Sequence, residues 1–419
     1  MDQHQMDQRQ MGQRQMGQRQ VGQLQMDPRH GTASTPDQFS LVRDDVFYRL
    51  QRKLGLIPAG GGGFMRRAVA YALIAWLPLV IAAWLAGTAI EPLGGNEPLL
   101  GHIGIHVRCL VAIPLLVLAE GIAQKLIPLG LREFKQSGLV DEALAPRFDQ
   151  VLLGVLNLRN RISPWIVIAV FVVTWVAVLF FSPNRDEVRW ADSGSQSLDF
   201  GVWWLLLVTR PIFSILLLAW VWRLILLGLL LYRIAALPLK LVPSHPDRLG
   251  GLGFLTRLPV VYGPFLLSVS AVVAGVWAHE VLYHGVTVPS LYGQIAALLI
   301  VLMIIGLAPL LVFTPLLLRV KRQALLDYGA FVTLHGRAVH EKWIEKKNVP
   351  DSPMLDAPEL GPVADVQAIY QAVASMRGAI INKSVLLKIL APAALPMLLL
   401  ISMQWPLKST LSKLLFTLL

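Results

Sequence analysis

Seven long apolar segments constrain this chain more than any other feature of its sequence. Each is close to or longer than the ~18–20 apolar residues that a helix needs to cross a bilayer. They lie at 68–90, 101–120, 164–182, 202–222, 259–278, 292–318 and 385–404. Unpaired backbone polar groups are too costly in lipid, so we expect every segment to be a helix. The sequence therefore predicts an all-α fold, a polytopic transmembrane helical bundle.

The overall composition excludes a soluble or disordered protein. Hydrophobic residues make up 55% of the chain and charged residues 15%, against about 45–50% and about 25% in soluble domains. A soluble domain could not bury so much apolar surface, and a disordered chain would be far less hydrophobic. We therefore expect the lipid bilayer to be the main partner of this protein.

The distribution of basic residues predicts the orientation. Residues 40–67, before the first span, and every second connection after that span together hold 26 Lys and Arg residues. The connections 91–100, 183–200 and 279–290 hold only Arg185 and Arg189. Cytoplasmic loops are enriched in Lys and Arg, which predicts a cytoplasmic N-terminus and an outer C-terminus. The net charge of +11 then reflects membrane insertion, and we expect no nucleic-acid partner.

The apolar segments, the connections between them and the Gln-rich N-terminal repeats together predict the organisation of the chain. Residues 1–25 are Gln-rich pentads such as MGQRQ, which cannot bury a core. The predicted order is a disordered Gln-rich arm (1–39), a cytoplasmic N-terminal segment (40–67), transmembrane helices 1–2 (68–122), a cytoplasmic helical connection (123–163), transmembrane helices 3–6 (164–319), a cytoplasmic helical segment (320–384), and transmembrane helix 7 with an amphipathic tail (385–419).

The most distinctive local motif is SHPDRLGGLGF at 244–254, in the predicted cytoplasmic connection between the fourth and fifth spans. Its polar and glycine positions are His245, Asp247, Arg248, Gly250, Gly251 and Gly253. One interpretation is a cytoplasmic gate or an anion-contacting turn. The other is a turn capped by its aspartate, which the pattern favours because Asp is a common helix cap. Neither GxxxxGK[ST] nor GxGxxG is present, so a phosphate loop is not predicted.

This motif also carries a family resemblance. Together with HVRCLVAIPLLVLAE (106–120) and WVWRL (220–224), the stretch VPSHPDRLGGLGFL (242–255) resembles an uncharacterised family of bacterial inner-membrane proteins with an HPDRxGGLGFL turn. The resemblance spans about residues 40–419 and implies a multi-pass protein of the bacterial inner (cytoplasmic) membrane. It implies no substrate, reaction or cofactor. Arg210 and the string QAIYQAVASM (367–376) depart from the family pattern, so the resemblance gives Arg210 no role.

Polar side chains in the outer halves of the second, fourth and fifth spans are the main candidates for chemistry. They are His102, His106, Arg108, Arg210, His279, Glu280 and His284. At about 1.5 Å of rise per residue, Arg108 and Arg210 lie roughly 10 and 12 Å below the outer ends of their spans. A charge at such a depth normally faces a cavity or a partner.

Three hypotheses remain open for these side chains. As an anion site, Arg108 and Arg210 would bind a small carboxylate or phosphate, with His106 and Glu280 as further substrate-binding residues. As a metal site, His102 and His106 together with one of His279, Glu280 or His284 would supply the ligands. As structure, the arginines would pair with Glu280 or with carbonyl groups that prolines leave unbonded.

Catalytic signatures such as GxSxG or CxxC are absent from the sequence, which favours a non-enzymatic role without a cofactor. Our leading functional hypothesis is a transporter or channel-like protein with an anion site in its outer half. A non-transporting membrane scaffold or assembly factor is the alternative, and a metal-dependent membrane enzyme is the third. A homo-oligomer or a membrane partner protein stays open. Glu120 has two interpretations, a proton-relay carboxylate or an interfacial charge at a helix end, and its position near the headgroups favours the second.

Overall fold

The computed structural model describes residues 39–43, 45–53, 55, 63–90, 98–181, 190, 200–347 and 361–404. Within these ranges the chain is helical and contains no strand. The predicted Gln-rich arm, apart from Phe39, and the predicted amphipathic tail after residue 404 lie outside the described residues.

The helices are numbered in chain order. They are α1 (Val46–Lys53), α2 (Phe64–Leu85), α3 (Ile103–Gln136), α4 (Ala145–Arg159), α5 (Ser163–Phe181), α6 (Phe200–Ala235), α7 (Pro259–Tyr283), α8 (Val288–Leu311), α9 (Thr314–Val339), α10 (Gly361–Ala374) and α11 (Lys383–Ser402). Short 3₁₀ turns at Leu99–Gly101 and Gly253–Arg257 precede α3 and α7.

Seven helical stretches in the described part of the chain are long and apolar enough to cross a membrane. They are α2, α3, the α4–α5 stretch, α6, α7, α8 and α11. The predicted all-α bundle of seven spans is thus confirmed, and it is consistent with a multi-pass integral membrane protein. The N-in, C-out orientation stays a prediction, and the terms outer and cytoplasmic below follow it.

The structure differs from the prediction at several helix ends. Helix α3 continues to Gln136 and α6 to Ala235, well past the predicted ends at 120 and 222. The predicted sixth span is interrupted, because α8 ends at Leu311 and α9 begins at Thr314. Pro315 explains the new start, since proline is favoured in the first turn of a helix and lacks the N–H needed to continue the previous one.

Helices α3 and α7 form the centre of the bundle. In each, 56% of the most apolar stretch is buried, against 11% in the α4–α5 stretch. Helix α3 packs against α2 and α7, α7 packs against α11, and α6 packs against α4 and α5. Helix α5 therefore lies at the periphery, where most of its apolar surface is left for lipid.

The central helices approach each other closely where glycines face. A Cβ atom added to Gly275 of α7 would lie 3.3 Å from the Cα atom of Gly104 in α3. In membranes, where the hydrophobic effect does not drive helices together, small residues allow backbones to pack by van der Waals contact. On the other side of α7, the Tyr262 hydroxyl donates a hydrogen bond to the Gly306 carbonyl at 2.6 Å.

Two spans contain a π-helical turn in the outer half. These turns are Val107–Ala112 in α3 and Leu205–Thr209 in α6. Each is followed by a proline, Pro114 or Pro211, in the first turn of the next α-helical segment. A proline cannot donate to the carbonyl four residues earlier and its ring clashes with that carbonyl. The wider π turn accommodates this break without ending the span.

Candidate anion-binding site

Arg108 of α3 and Arg210 of α6 line the same cavity, which lies between α3, α5 and α6 and has a volume of about 460 Å³. The cavity is lined by Arg108, Phe171, Trp175, Leu179, Arg210, Phe213, Ser214, Leu217 and Leu218. In the predicted orientation it occupies the outer half of the bundle. The structure thus brings together the two arginines that the sequence placed at similar depths on separate spans.

The two arginines are found at the π turns. Arg108 lies within the first π turn, and Arg210 directly follows the second. Both residues are only 8% and 7% exposed, and both line the same cavity. The guanidinium of Arg108 also lies over the Phe213 ring, 5.8 Å from its centroid, an attractive cation–π geometry. Two positive charges in the lining of one cavity are suited to a negative group bound there.

The rest of the cavity wall is almost entirely apolar. On α5, Phe171 and Trp175 stack with parallel rings whose centroids are 6.4 Å apart. These two residues are 53% and 48% exposed, so the α5 wall of the cavity lies at the lipid-facing surface of the bundle. Apart from the indole N–H of Trp175, Ser214 carries the one uncharged polar group among the described residues that line the cavity.

The polar residues of the fifth span do not join the arginines. His279 and Glu280 of α7 are absent from the lining of the cavity. Within the described residues, no ion pair joins Glu280 to Arg108 or to Arg210. The sequence hypothesis placed the second, fourth and fifth spans around the polar groups, whereas the cavity lies between the second, third and fourth. Hydropathy alone does not determine the rotation or neighbours of a helix, so this difference could not be foreseen.

His106 is held by local hydrogen bonds. Its Nδ1 accepts a hydrogen bond from the indole N–H of Trp76 at 2.8 Å. Its Nε2 lies 3.1 Å from the carbonyl oxygen of Leu99, to which it donates when the ring is neutral. Both ring nitrogens are thereby occupied, and His106 does not line the arginine cavity. This arrangement explains His106 as a tie between α2, α3 and the preceding turn.

The remaining histidines cluster by stacking. The rings of His102 and His279 stack at 4.6 Å, and the ring of His284 packs edge-on to His279 at 5.5 Å. Among the described residues, no group of three or more His, Cys, Asp or Glu side chains is arranged to hold a metal ion. The geometry therefore gives the metal hypothesis no support.

The SHPDRLGGLGF motif closes on its own aspartate. The Asp247 carboxylate accepts backbone N–H bonds from Leu249 at 2.7 Å, Gly251 at 3.1 Å and Gly253 at 2.8 Å, and it lies 2.9 Å from His245 Nδ1. Burial would raise the pKa of Asp247, but these hydrogen bonds outweigh burial and hold that pKa below its usual range. The carboxylate occupies the donors that an external anion would need, which favours the capped-turn interpretation.

The remaining residues of the motif position neighbouring connections. Arg248 has a positive φ of 59°, and its carbonyl accepts a hydrogen bond from the backbone N–H of Arg377 at 2.7 Å. Gly251 has φ 98°, and a Cβ atom there would lie 3.3 Å from the side chain of Leu139. Gly250 is likewise at positive φ. The motif thus joins the connections after α3, α6 and α10 at the cytoplasmic end.

A buried charge network at that end was missed in the sequence analysis. It consists of Asp45, Gln51, Arg67, Glu120 and Arg223, each at most 3% exposed. The Glu120 carboxylate accepts from Arg67 at 2.8 Å and from Arg223 at 2.8 Å, and Arg223 also donates to Asp45 at 2.9 Å. Arg67 donates a further hydrogen bond to Gln51.

The interpretation of Glu120 as an interfacial charge is therefore wrong. Glu120 is completely buried because α3 continues beyond it. The sequence analysis counted Arg67 and Arg223 only as basic flanks of spans. A carboxylate inside the apolar run LAEGIA was the available signal, since buried charges are normally paired. The contribution of Asp45 depends on tertiary packing of the N-terminal segment, which no local pattern reveals.

The fold and the cavity define a helical protein with seven potential membrane spans and two arginines in one largely apolar pocket. No protein-family model, curated protein or solved structure matches this chain. The resemblance to bacterial inner-membrane proteins with an HPDRxGGLGFL turn stays a prediction, and a function has to be argued from the site itself.

Proposed function

We propose that this protein is a transporter or channel-like membrane protein that binds an anion between Arg108 and Arg210. The observation that carries the proposal is the convergence of these two buried arginines, from different spans, on one cavity. Charged side chains within a membrane are costly and usually mark a ligand site or a pathway. Guanidinium groups bind carboxylate and phosphate through two parallel hydrogen bonds, which suits them to an anion.

Two further observations support a ligand site. The volume of about 460 Å³ falls within the ~300–1,000 Å³ typical of small-molecule sites. Each arginine also lies in or beside a π turn, a departure from α-helix that is frequent at functional sites. We further propose a location in the bacterial cytoplasmic membrane, with the N-terminus inside and the cavity facing the outer half.

A non-transporting scaffold is the second candidate. It is supported by helix α9, predicted to be cytoplasmic, on which Leu326, Phe331 and Leu334 are 70%, 45% and 66% exposed. Apolar side chains on a helix outside the bilayer are a common feature of contact surfaces. This candidate predicts a stably associated membrane protein after mild-detergent purification and no anion flux.

Flux through proteoliposomes tests the leading proposal. The purified protein is reconstituted, and transfer of radiolabelled phosphate, radiolabelled succinate and fluorescent phosphatidic acid is compared with empty liposomes. We expect transfer of at least one of these anions, and its loss in the Arg108→Leu, Arg210→Leu double variant. Arg257→Leu is the matched control because its side chain is 71% exposed and does not line the cavity; it should retain transfer.

Folding of each variant is checked by size-exclusion elution and circular dichroism before reconstitution. Wild-type protein that moves none of the three anions faster than empty liposomes would overturn the transport proposal. Equal loss of transfer in the double variant and in Arg257→Leu would also count against it, because the effect would then not be specific to the cavity.

A further inference from the structure

We infer that the anion is amphiphilic: a phosphate or carboxylate headgroup on an apolar chain, which reaches the cavity sideways from the bilayer. This inference rests on the proposed anion site and adds the class of ligand. The cavity combines two features that a single such molecule would satisfy. Two arginines line it, and apolar side chains make up nearly all of the rest of the lining among the described residues.

The size and lining of the cavity favour a ligand with an apolar part. A bare phosphate or chloride would leave most of the roughly 460 Å³ unfilled. The remaining volume borders Phe171, Trp175 and Leu217. Of these three side chains, only the indole N–H of Trp175 could donate a hydrogen bond to a hydrated anion. An alkyl chain would instead remove these surfaces from water, which is favourable in proportion to the apolar area buried.

The position of α5 favours access from the lipid. The α4–α5 stretch is the least buried of the seven candidate spans in the described residues, and Phe171 and Trp175 are about half exposed. The cavity wall that they form therefore borders the hydrocarbon region in the predicted orientation. A small hydrated anion would have to lose its water to cross this wall, whereas an amphiphile in the bilayer already has its chain in hydrocarbon.

The contact between Arg108 and Phe213 suits a headgroup at this place. The Phe213 ring interacts with Arg108 at 5.8 Å through its π face. The N–H groups of a guanidinium lie in its plane and point outward from its edge, so stacking on an aromatic face is compatible with binding of a phosphate or carboxylate at the edge. A ring at this distance from the guanidinium carbon is therefore compatible with a headgroup bound at the guanidinium edge.

Competition binding tests the inference on the full-length protein in a non-ionic detergent. Radiolabelled dodecyl phosphate is the probe, and the competitors are unlabelled dodecyl phosphate, inorganic phosphate and dodecyltrimethylammonium. We expect inorganic phosphate to compete at least about 100-fold more weakly than dodecyl phosphate, because it lacks the chain. Dodecyltrimethylammonium, which has the same chain and the opposite charge, should not compete.

Variants separate the headgroup from the chain. Arg108→Leu with Arg210→Leu should abolish binding of dodecyl phosphate. Trp175→Ala changes a half-exposed residue, so the variant should fold. It should lower the affinity for dodecyl phosphate about tenfold and leave the affinity for inorganic phosphate unchanged. Trp84→Ala is the matched control, because Trp84 is a 65% exposed aromatic on α2 that does not line the cavity, and it should bind as wild type does.

The outcomes distinguish this inference from the proposed function. Equal competition by inorganic phosphate would overturn the amphiphile inference and leave the anion site standing. Equal competition by dodecyltrimethylammonium would also overturn it, because binding would then depend on the chain alone. Absence of binding by both phosphates would overturn the inference together with the anion site. Specific binding of dodecyl phosphate without flux in proteoliposomes would support the inference and contradict transport.

Discussion

The carboxylate of Glu120 accepts a hydrogen bond from the guanidinium of Arg223 at 2.8 Å. The two residues belong to different spans, and both are almost completely buried. Glu120 also binds Arg67 of α2. One carboxylate therefore connects α2, α3 and α6 below the arginine cavity. This connection fixes the relative positions of α3 and α6, the two helices that carry Arg108 and Arg210.

The first prediction concerns removal of this charge. Glu120→Gln leaves two buried guanidinium groups with less negative charge nearby, and we expect a loss of about 3–5 kcal/mol in the free energy of unfolding. Asp149→Asn is the control, because it removes a partly exposed 2.8 Å ion pair with Lys135 and should cost less than about 1 kcal/mol. Denaturant unfolding in mixed micelles measures both; equal losses would show that the network is not a structural anchor.

The second prediction concerns pH and the Asp247 turn. Hydrogen bonds lower the pKa of Asp247 in the folded protein, so its ionised form stabilises the fold. That contribution is complete above the unfolded pKa of about 3.9 and is lost as the pH falls through the lower, folded value. We expect Asp247→Asn to lower the thermal midpoint at pH 6, and the difference from wild type to shrink below about pH 4. A difference that stays constant from pH 6 to pH 3 would contradict this account of the turn.

The third prediction concerns the contact of α3 with α7. Gly275→Ala places a methyl group 3.3 Å from the Gly104 Cα atom and from the Val107 Cβ atom, and we expect overpacking to destabilise the bundle by about 1–3 kcal/mol. Gly130→Ala in α3 is the control, because no atom lies within 4 Å of the added Cβ and alanine favours the helix by up to about 1 kcal/mol. The two substitutions should change the free energy of unfolding in opposite directions. An unchanged free energy of unfolding in Gly275→Ala would mean that the two helices separate easily.

The sequence was sufficient for the number of spans because the bilayer imposes length and hydrophobicity on each helix separately. It also placed Arg108 and Arg210 at similar depths, since depth follows from helical rise. It was insufficient for the neighbours of these residues. Helix α5 is apolar on every side, so its pattern does not show which face meets Arg210. The pairing of Glu120 with Arg223 depends on how far α3 and α6 extend. Counting Lys and Arg in the predicted connections gives no information on the lengths of these helices.

The most direct test of the central claim is the affinity of dodecyl phosphate for the two single variants, Arg108→Leu and Arg210→Leu, beside wild type and Arg257→Leu. If both guanidinium groups bind the same headgroup, each single variant weakens binding at least about tenfold, the effect of losing one charged hydrogen bond, while Arg257→Leu binds as wild type does. Wild-type affinity in either cavity variant would show that the two arginines do not form one anion site.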